Sequence, residues 1–113
     1  MLRAPSYFVL AALLDGPLHG YVIIKRVGAL SDNSVRLAAG TLYAILDRLA
    51  EAALIEVVKE EIVNGRARRC YALTPQGRAT VLAEAGRLAA AATIVTDPAL
   101  RQRALARTAM SLA

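Results

Sequence analysis

The sequence predicts an α+β fold in which short helices precede a β-hairpin and further helices follow it. From Gly40 to Leu49, apolar residues recur at i, i+3, i+4 and i+7, the spacing of an amphipathic helix, and a shorter helical pattern comes before it. Strand-forming residues then lead to Asn64-Gly65, the strongest short signal for a two-residue hairpin turn. Helix, turn, helix and basic hairpin is the order of a winged helix-turn-helix, whose second helix enters a DNA groove.

Composition limits the chain to a single core and favours an anionic partner. Its 113 residues are 57% hydrophobic with no Trp, and the net charge is +5. Cys70 is the one cysteine, so an intramolecular disulfide is impossible and a reducing compartment is favoured. The first apolar run, Tyr7 to Leu14, is shorter than the roughly 20 residues of a membrane span and lacks the marks of a signal peptide. We therefore expect a cytoplasmic protein with no membrane partner.

Two helices are predicted before the central one. Pro5 can open the first, and Gly16-Pro17 can end it. Its apolar stripe holds Phe8, Val9, Ala12 and Leu13. In the second helix, the residues expected to share the buried face are Tyr21, Ile24, Val27 and Leu30. A polar cluster, Ser31 to Ser34, then turns the chain because its side chains can bond nearby backbone amides.

The central helix has two faces with different purposes. Its core-facing stripe is Leu42, Ile45, Leu46 and Leu49, and the helix is expected to run to about Ala53. The other side carries Thr41, Tyr43 and Arg48, which can hydrogen-bond a partner. Thr41 and Tyr43 either contact phosphates or serve the helix start and the core edge. Arg48 can offer two donors to a guanine, unless Asp47 or Glu51 holds it in an intrahelical pair.

The hairpin carries three arginines. A two-residue loop at Asn64-Gly65 places Glu61 opposite Arg68 and Glu60 opposite Arg69, and opposite charges support that register. Arg66, Arg68 and Arg69 either neutralise phosphates or form an ordinary solvated hairpin. Arg66 is the strongest candidate because the two glutamates can partly satisfy the other two.

The C-terminal part is predicted to be helical. Thr74 can cap a helix that has Pro75 in its first position. The heptad seam of this helix comprises Val81, Ala85, Leu88, Ala92 and Val95. Such a seam requires a second helix, so we expect it to mediate dimerisation. Thr96-Asp97-Pro98 then breaks the pattern before a last helix.

In several of these segments the sequence resembles the PadR-like family of bacterial transcriptional regulators. The blocks that match, in the family's order, are Gly16-Pro17-Leu18-His19-Gly20-Tyr21, Gly40-Thr41-Leu42-Tyr43, Leu54-Ile55-Glu56, and Gly65 to Thr74 followed by Gly77. The resemblance implies that the Gly-Thr-Leu-Tyr helix reads DNA, that the Gly-Arg hairpin is the wing, and that C-terminal helices form a homodimer. It also implies a repressor released by a small molecule.

The sequence departs from the family pattern around the central helix. The family usually has Ser-Pro before Gly-Thr-Leu-Tyr and Pro after it, whereas Ala38-Ala39 precede it here and Ala44 follows. This leaves the start of the helix less sharply fixed, at Gly40 or nearer Ser34. The segment beyond Val95 matches no family pattern.

Catalysis and metal binding have little support in the sequence. His19 is the one histidine and is expected to have no cysteine nearby, so a structural role is favoured over a metal site. The chain lacks a Ser/His/Asp pattern and a phosphate-binding glycine loop, and Cys70 falls within a predicted strand. We therefore expect neither an enzyme nor a cofactor.

The predicted organisation is a winged helix-turn-helix DNA-binding domain over residues 1–74 and a helical dimerisation region over residues 75–113. The expected function is a DNA-binding transcriptional regulator, a dimeric repressor on a palindromic operator that a small-molecule effector releases. Two alternatives stay open: a winged-helix protein-interaction module, and a small-molecule-binding dimer without DNA binding. The salt dependence of duplex affinity separates the first alternative from DNA binding, because phosphate contacts release counterions.

Overall fold

The structure, a computed structural model, describes residues 1–112 of the chain, without the side chain of the last of these. Its elements in chain order are α1 (Ala4–Ala12), β1 (Leu18–His19), α2 (Gly20–Leu30), α3 (Ala39–Glu51), β2 (Ile55–Val63), β3 (Arg66–Leu73), α4 (Pro75–Thr96) and α5 (Pro98–Leu112). Residues Met1–Leu82 form one compact unit, and the residues from Ala83 onward form a second. Helix α4 therefore begins in the first unit and continues into the second.

The hydrophobic core lies in the first unit. Its buried residues are Val9, Leu10, Ala12, Leu13, Ile23, Val27, Leu42, Ile45, Leu46, Leu49, Leu54, Ile55, Tyr71 and Val81. The predicted stripe of α3 is confirmed, since all four of its residues are in this set. Val81 is only 2% exposed and so belongs to the core of its own unit. The part of the heptad seam that can meet a partner therefore begins at Ala85.

The predicted face of α2 is wrong at its two ends, although Val27 is buried and Ile24 packs partly buried against the core. Its buried residues are Gly20, Ile23 and Val27, whereas Tyr21 is 67% exposed and Leu30 is also exposed. The face that contains Gly20 is buried instead. Gly20 has no side chain, so it can pack closely against Tyr43 of α3. A glycine is not counted among the apolar residues of a helical pattern. The spacing of the larger apolar residues therefore predicted the wrong buried face for Tyr21 and Leu30.

Helix α3 begins at Ala39 and not near Ser34, and it ends in a Schellman motif. The N–H of Leu54 donates to the carbonyl oxygen of Leu49 at 2.9 Å, and the N–H of Ala53 donates to that of Ala50 at 3.0 Å. Ala53 occupies the left-handed position with a φ of 60°. This position usually holds glycine, because a Cβ is crowded there.

The predicted hairpin and its register are confirmed. Asn64 and Gly65 have φ values of 52° and 75°, as a type I′ turn requires. Glu61 pairs with Arg68 and Glu60 with Arg69, and an irregularity between Val57 and Lys59 leaves Val58 unpaired. The sheet order is β1-β3-β2. The short strand β1, which the sequence did not predict, pairs Leu18 with Tyr71 and His19 with Cys70.

The start of α4 is fixed tightly to the end of α3. The Thr74 hydroxyl accepts the N–H of Gly77 at 2.9 Å and donates to the carbonyl oxygen of Ala53 at 2.6 Å, which confirms Thr74 as the cap. A Cβ added at Gly77 would lie 1.8 Å from the carbonyl oxygen of Leu54. Only glycine fits at this crossing.

The second unit is helical and exposes its apolar side chains. None of the hydrophobic side chains between residues 83 and 111 is buried, and those that stand out are Leu88, Ile94, Val95, Leu105 and Met110. Asp97 caps α5 by accepting the N–H groups of Ala99 and Leu100. By length and composition alone α4 could also cross a bilayer. One such helix is weak evidence, because the core helix of a soluble protein passes the same test.

Candidate nucleic-acid interface

The exposed side of α3 consists of two stripes. Thr41, Ala44 and Arg48 follow one another at i, i+3 and i+7 and are all exposed, so they form the first stripe. Arg48 lies in the last turn of the helix and makes no ion pair with Asp47 or Glu51 among the residues that the structure describes. The first stripe therefore presents one free guanidinium among small side chains, and its shape suits close approach to a partner.

Tyr43 and Asp47 form the second stripe. Tyr43 is 50% exposed, and a Cβ added at Gly20 would lie 3.0 Å from the Tyr43 hydroxyl oxygen. Part of the side chain therefore packs against the start of α2, and part stays open to solvent, so its contact with a phosphate stays a prediction.

On the wing, Arg69 is held by its neighbours. Its Nε lies 3.4 Å from the Oε1 of Glu60, and this hydrogen bond is the main reason that the pKa of Arg69 is raised. Tyr71, on the same face of β3, is only 4% exposed, and burial raises the pKa of its hydroxyl. Because a carboxylate already compensates Arg69, this side chain offers less to an anion than its position suggests.

Arg66 and Arg68 are exposed, and neither forms an ion pair within the described part of the chain. The sequence had assigned Glu61 to Arg68, and the two are register partners. The carboxylate of Glu61 instead lies 3.4 Å from His19 Nε2 and 3.5 Å from Lys59 Nζ. Arg68 is therefore as free as Arg66, which the sequence did not anticipate.

The surroundings of His19 also correct the sequence interpretation. Cys70 is its register partner, and the Cys70 Sγ lies 3.6 Å from both ring nitrogens of His19. A cysteine is therefore adjacent in space although none is near in sequence. Over the described residues no group of three or more His, Cys, Asp or Glu side chains could hold a metal ion.

A cavity of about 320 Å³ lies between the wing and the start of α2, and we call it the wing cavity. Its lining residues are His19, Gly20, Tyr21, Val22, Tyr43, Arg66, Ala67, Arg68 and Arg69. Four of the six residues predicted to bind DNA, Tyr43 and the three arginines, thus lie around one space. Thr41 and Arg48 do not line it.

The comparisons with known proteins agree with this architecture. The sequence profile described as "Transcriptional regulator PadR-like family" matches residues 9–83. The chain belongs to the PadR-like family of transcriptional regulators. The matched stretch includes α2, α3 and both wing strands, so the features described above lie within the family's common region.

Similar sequences come from several bacteria. The chain is 42% identical over 81 residues to an uncharacterised 37.1 kDa protein in transposon TN4556 of Streptomyces fradiae, which covers 72% of this chain and 22% of the relative. It is 40% identical over 67 residues to the transcriptional regulator Rv3488 of Mycobacterium tuberculosis, covering 59% of each. The chain thus spans less than two thirds of these relatives.

Solved structures of PadR proteins share the fold. A PadR family transcription regulator from Clostridium difficile superposes with a TM-score of 0.69 at 22% identity, covering 83% of this chain and 96% of that one. Bacillus subtilis PadR, solved in complex with operator DNA, has a TM-score of 0.62 at 22% identity, covering 70% of this chain and 46% of that one.

In this PadR-like chain, α2 adds residues that the sequence analysis missed. The exposed ring of Tyr21 has Lys25 Nζ 4.9 Å from its centroid, a cation–π pair at i and i+4. Tyr21 also lines the wing cavity. The i, i+4 spacing of an aromatic residue and a lysine was visible in the sequence, but it had no weight while Tyr21 was assigned to the core.

Proposed function

We propose that the protein is a DNA-binding transcriptional regulator that binds a palindromic operator duplex as a homodimer and represses transcription until a small-molecule effector releases it. In this proposal residues 1–74 supply DNA binding and residues 75–113 supply dimerisation. The chain uses no cofactor and acts without enzymatic activity in the cytoplasm.

The observation that carries the proposal is the pairing of two exposed surfaces in the first unit. One is the stripe of Thr41, Ala44 and Arg48 on α3. The other is the wing, where Arg66 and Arg68 have no compensating carboxylate among the described residues. A small-residue helix with one arginine suits a major groove, where an arginine can bond guanine O6 and N7. Uncompensated arginines on a hairpin suit the phosphate backbone.

Two further observations support the proposal. A net charge of +5 favours an anionic partner. The homodimer is supported by the remainder of the heptad seam, in which Ala85 is partly buried and Leu88, Ala92 and Val95 are exposed, Val95 to 75%. A two-fold dimer places two α3 helices on half-sites that are related by the same symmetry, which is why the operator is expected to be palindromic.

Selection of bound duplexes from a random pool tests this function. The full chain is immobilised, bound duplexes are amplified over several rounds, and the enriched sequences are aligned. A palindrome with half-sites separated by about one helical turn of DNA is the expected result. No enrichment over the starting pool would contradict DNA reading, and it would favour a protein-interaction module or a small-molecule-binding dimer.

A further inference from the structure

Four ionisable side chains form a continuous series of contacts across the sheet. The Cys70 Sγ lies 3.6 Å from both Nδ1 and Nε2 of His19. His19 Nε2 lies 3.4 Å from Glu61 Oε1, and Glu61 Oε2 lies 3.5 Å from Lys59 Nζ. All three strands contribute, because His19 of β1 and Lys59 of β2 are both register partners of Cys70 on β3. We call these four residues the thiol cluster.

The thiol cluster lies on the side of the sheet that faces away from the core. Consecutive residues of a strand point to opposite faces. Tyr71 is buried and belongs to the core, so Cys70 points the other way. Cys70 is partly exposed, and the side chains of His19 and Glu61 are 32% and 35% exposed. A small molecule can therefore reach the sulfur without any opening of the core.

The order of the groups is that of an activated nucleophile. A cysteine reacts as its thiolate, and an adjacent base that a third group orients is the usual means of removing the proton. The Glu61 carboxylate favours a hydrogen on Nε2 of His19, the ring nitrogen 3.4 Å from it, and this leaves the lone pair on Nδ1. Nδ1 is thus the nitrogen that accepts the Cys70 proton. Lys59 lies at the other oxygen of the carboxylate and helps to hold it in place.

We propose that Cys70 is the site at which a small electrophilic effector, an activated alkene, adds covalently and thereby releases the operator. This inference rests on the proposed function, because it assigns a chemical class to the effector named there. In the addition, the Cys70 proton moves to His19 Nδ1, and the sulfur forms a bond to the β carbon of the alkene. The π electron pair moves to the α carbon, which takes the proton from His19. The product is a thioether, with no net oxidation or reduction.

The cysteine content favours an alkene over an oxidant. A cysteine that is oxidised to a sulfenic acid typically condenses with a second thiol. Cys70 is the one cysteine of the 113 residues, so these residues supply no second thiol. A thioether forms in one addition and requires none.

The adduct changes the charge balance of the wing. A group added to the Cys70 sulfur takes the space in which the sulfur contacts the imidazole, so His19 must move away from Glu61. Glu61 is the register partner of Arg68, which forms no ion pair over residues 1–112. A Glu61 released from His19 can pair with Arg68, since cross-strand pairs of opposite charge are favourable. The adduct therefore removes one uncompensated arginine from the wing.

The first arm of the test measures how fast Cys70 reacts with methyl vinyl ketone. Intact mass spectrometry of the full chain follows the gain of one reagent mass, and Cys70→Ser should gain none. His19→Gln should slow the addition about a hundredfold, the low end of what a positioned base contributes. Glu61→Gln should slow it by less, because the base remains but loses its orienting partner. The matched control is Glu60→Gln, the adjacent carboxylate of β2, which pairs with Arg69 and whose loss should leave the rate unchanged.

The second arm compares operator binding before and after complete reaction with the same ketone. The adduct should lower the slope of log affinity against log salt by about one unit per protomer, since each protomer loses one phosphate contact. In Arg68→Ala the reaction should lower the slope no further. In Glu61→Gln, whose amide cannot neutralise Arg68, the adduct should leave the slope unchanged.

Each arm can overturn the inference. Equal rates for His19→Gln, Glu60→Gln and the wild-type chain would show that His19 does not activate the thiol. A wild-type adduct with an unaltered salt slope would show that Cys70 is not an effector site. A chain that bound no duplex before the reaction would contradict the proposed function and the release step together, whereas the rates would still decide whether Cys70 is a reactive thiol.

Discussion

The two units of this chain differ in where their apolar side chains lie. The unit Met1–Leu82 buries fourteen hydrophobic residues in one cluster. Between residues 83 and 111, by contrast, no hydrophobic side chain is buried, although Leu88, Val95 and Leu105 are large. The first unit is therefore stabilised by its own core. The second retains apolar surface whose burial would stabilise an assembly, at about 25 cal/mol per Å².

The largest expected effect comes from replacing glycine by alanine at two positions of α4, one in each unit. Gly77→Ala places a Cβ 1.8 Å from the carbonyl oxygen of Leu54, so the junction of α3 and α4 must open. We expect the free energy of unfolding to fall by about 2 to 3 kcal/mol. Gly86→Ala is the matched control: apart from its own helix, no described atom lies within 4 Å of the added Cβ, and the substitution should stabilise the helix by up to about 1 kcal/mol. Urea unfolding measures both, and effects of equal sign would contradict the comparison.

A charge in the heptad seam tests whether the second unit meets a partner. Leu88→Asp should weaken self-association by tenfold or more, on the order of 1.4 kcal/mol or above, because a carboxylate is costly to bury without a partner. Ala90→Asp adds the same charge to the same helix away from the seam and should associate as wild type. Sedimentation velocity at micromolar concentrations gives the result. A wild-type monomer under these conditions would remove the case for a palindromic operator.

Within the first unit, substitutions in the wing and in α3 should change DNA affinity in different ways. Arg48→Ala should cost about 1 to 3 kcal/mol on the selected operator and less on scrambled DNA, because an arginine bonded to guanine carries sequence information. Arg66→Ala should weaken binding to both similarly and lower the salt slope by about one unit. Fluorescence anisotropy on both duplexes measures the four affinities. The assignment of reading helix and wing is wrong if Arg66→Ala alters sequence preference while Arg48→Ala leaves it unchanged.

The smallest expected effect concerns the end of α3. Ala53 has a φ of 60°, where a Cβ costs roughly 1 to 2 kcal/mol that glycine avoids. Glycine loses more backbone entropy on folding, so Ala53→Gly should raise the free energy of unfolding by about 0.5 to 1 kcal/mol. The matched control is Ala50→Gly, within the helix, which should lower it by about 1 kcal/mol. Stabilisation by both substitutions would argue against the left-handed geometry at Ala53.

Several features could be predicted because local chemistry determines them. Asn64-Gly65 specifies a two-residue turn, and that turn alone sets the register of Glu60 with Arg69. The i, i+3, i+4 spacing gave the buried face of α3, and Thr74-Pro75 gave the start of α4. Each of these signals lies within about ten residues of the structure that it specifies.

Other features depend on contacts between distant parts of the chain. A strand of two residues has no periodicity, so the pairing of His19 with Cys70, and with it the wing cavity, left no signal in the sequence. The exposure of Tyr21 followed from the packing of Gly20 on α3. Gly77 belongs to the family motif, but the sequence does not show why a glycine is needed there. The need comes from the carbonyl oxygen of Leu54, which packs against Gly77 only in the folded structure.

The dependence of operator affinity on salt tests the central claim most directly. A dimer that makes roughly six phosphate contacts should lose about a thousandfold in affinity for its selected operator between 50 and 200 mM salt. That loss is the result expected if the wing and α3 bind duplex DNA. An affinity that stays nearly constant over this range would contradict DNA binding through phosphate contacts and would favour a protein-interaction module.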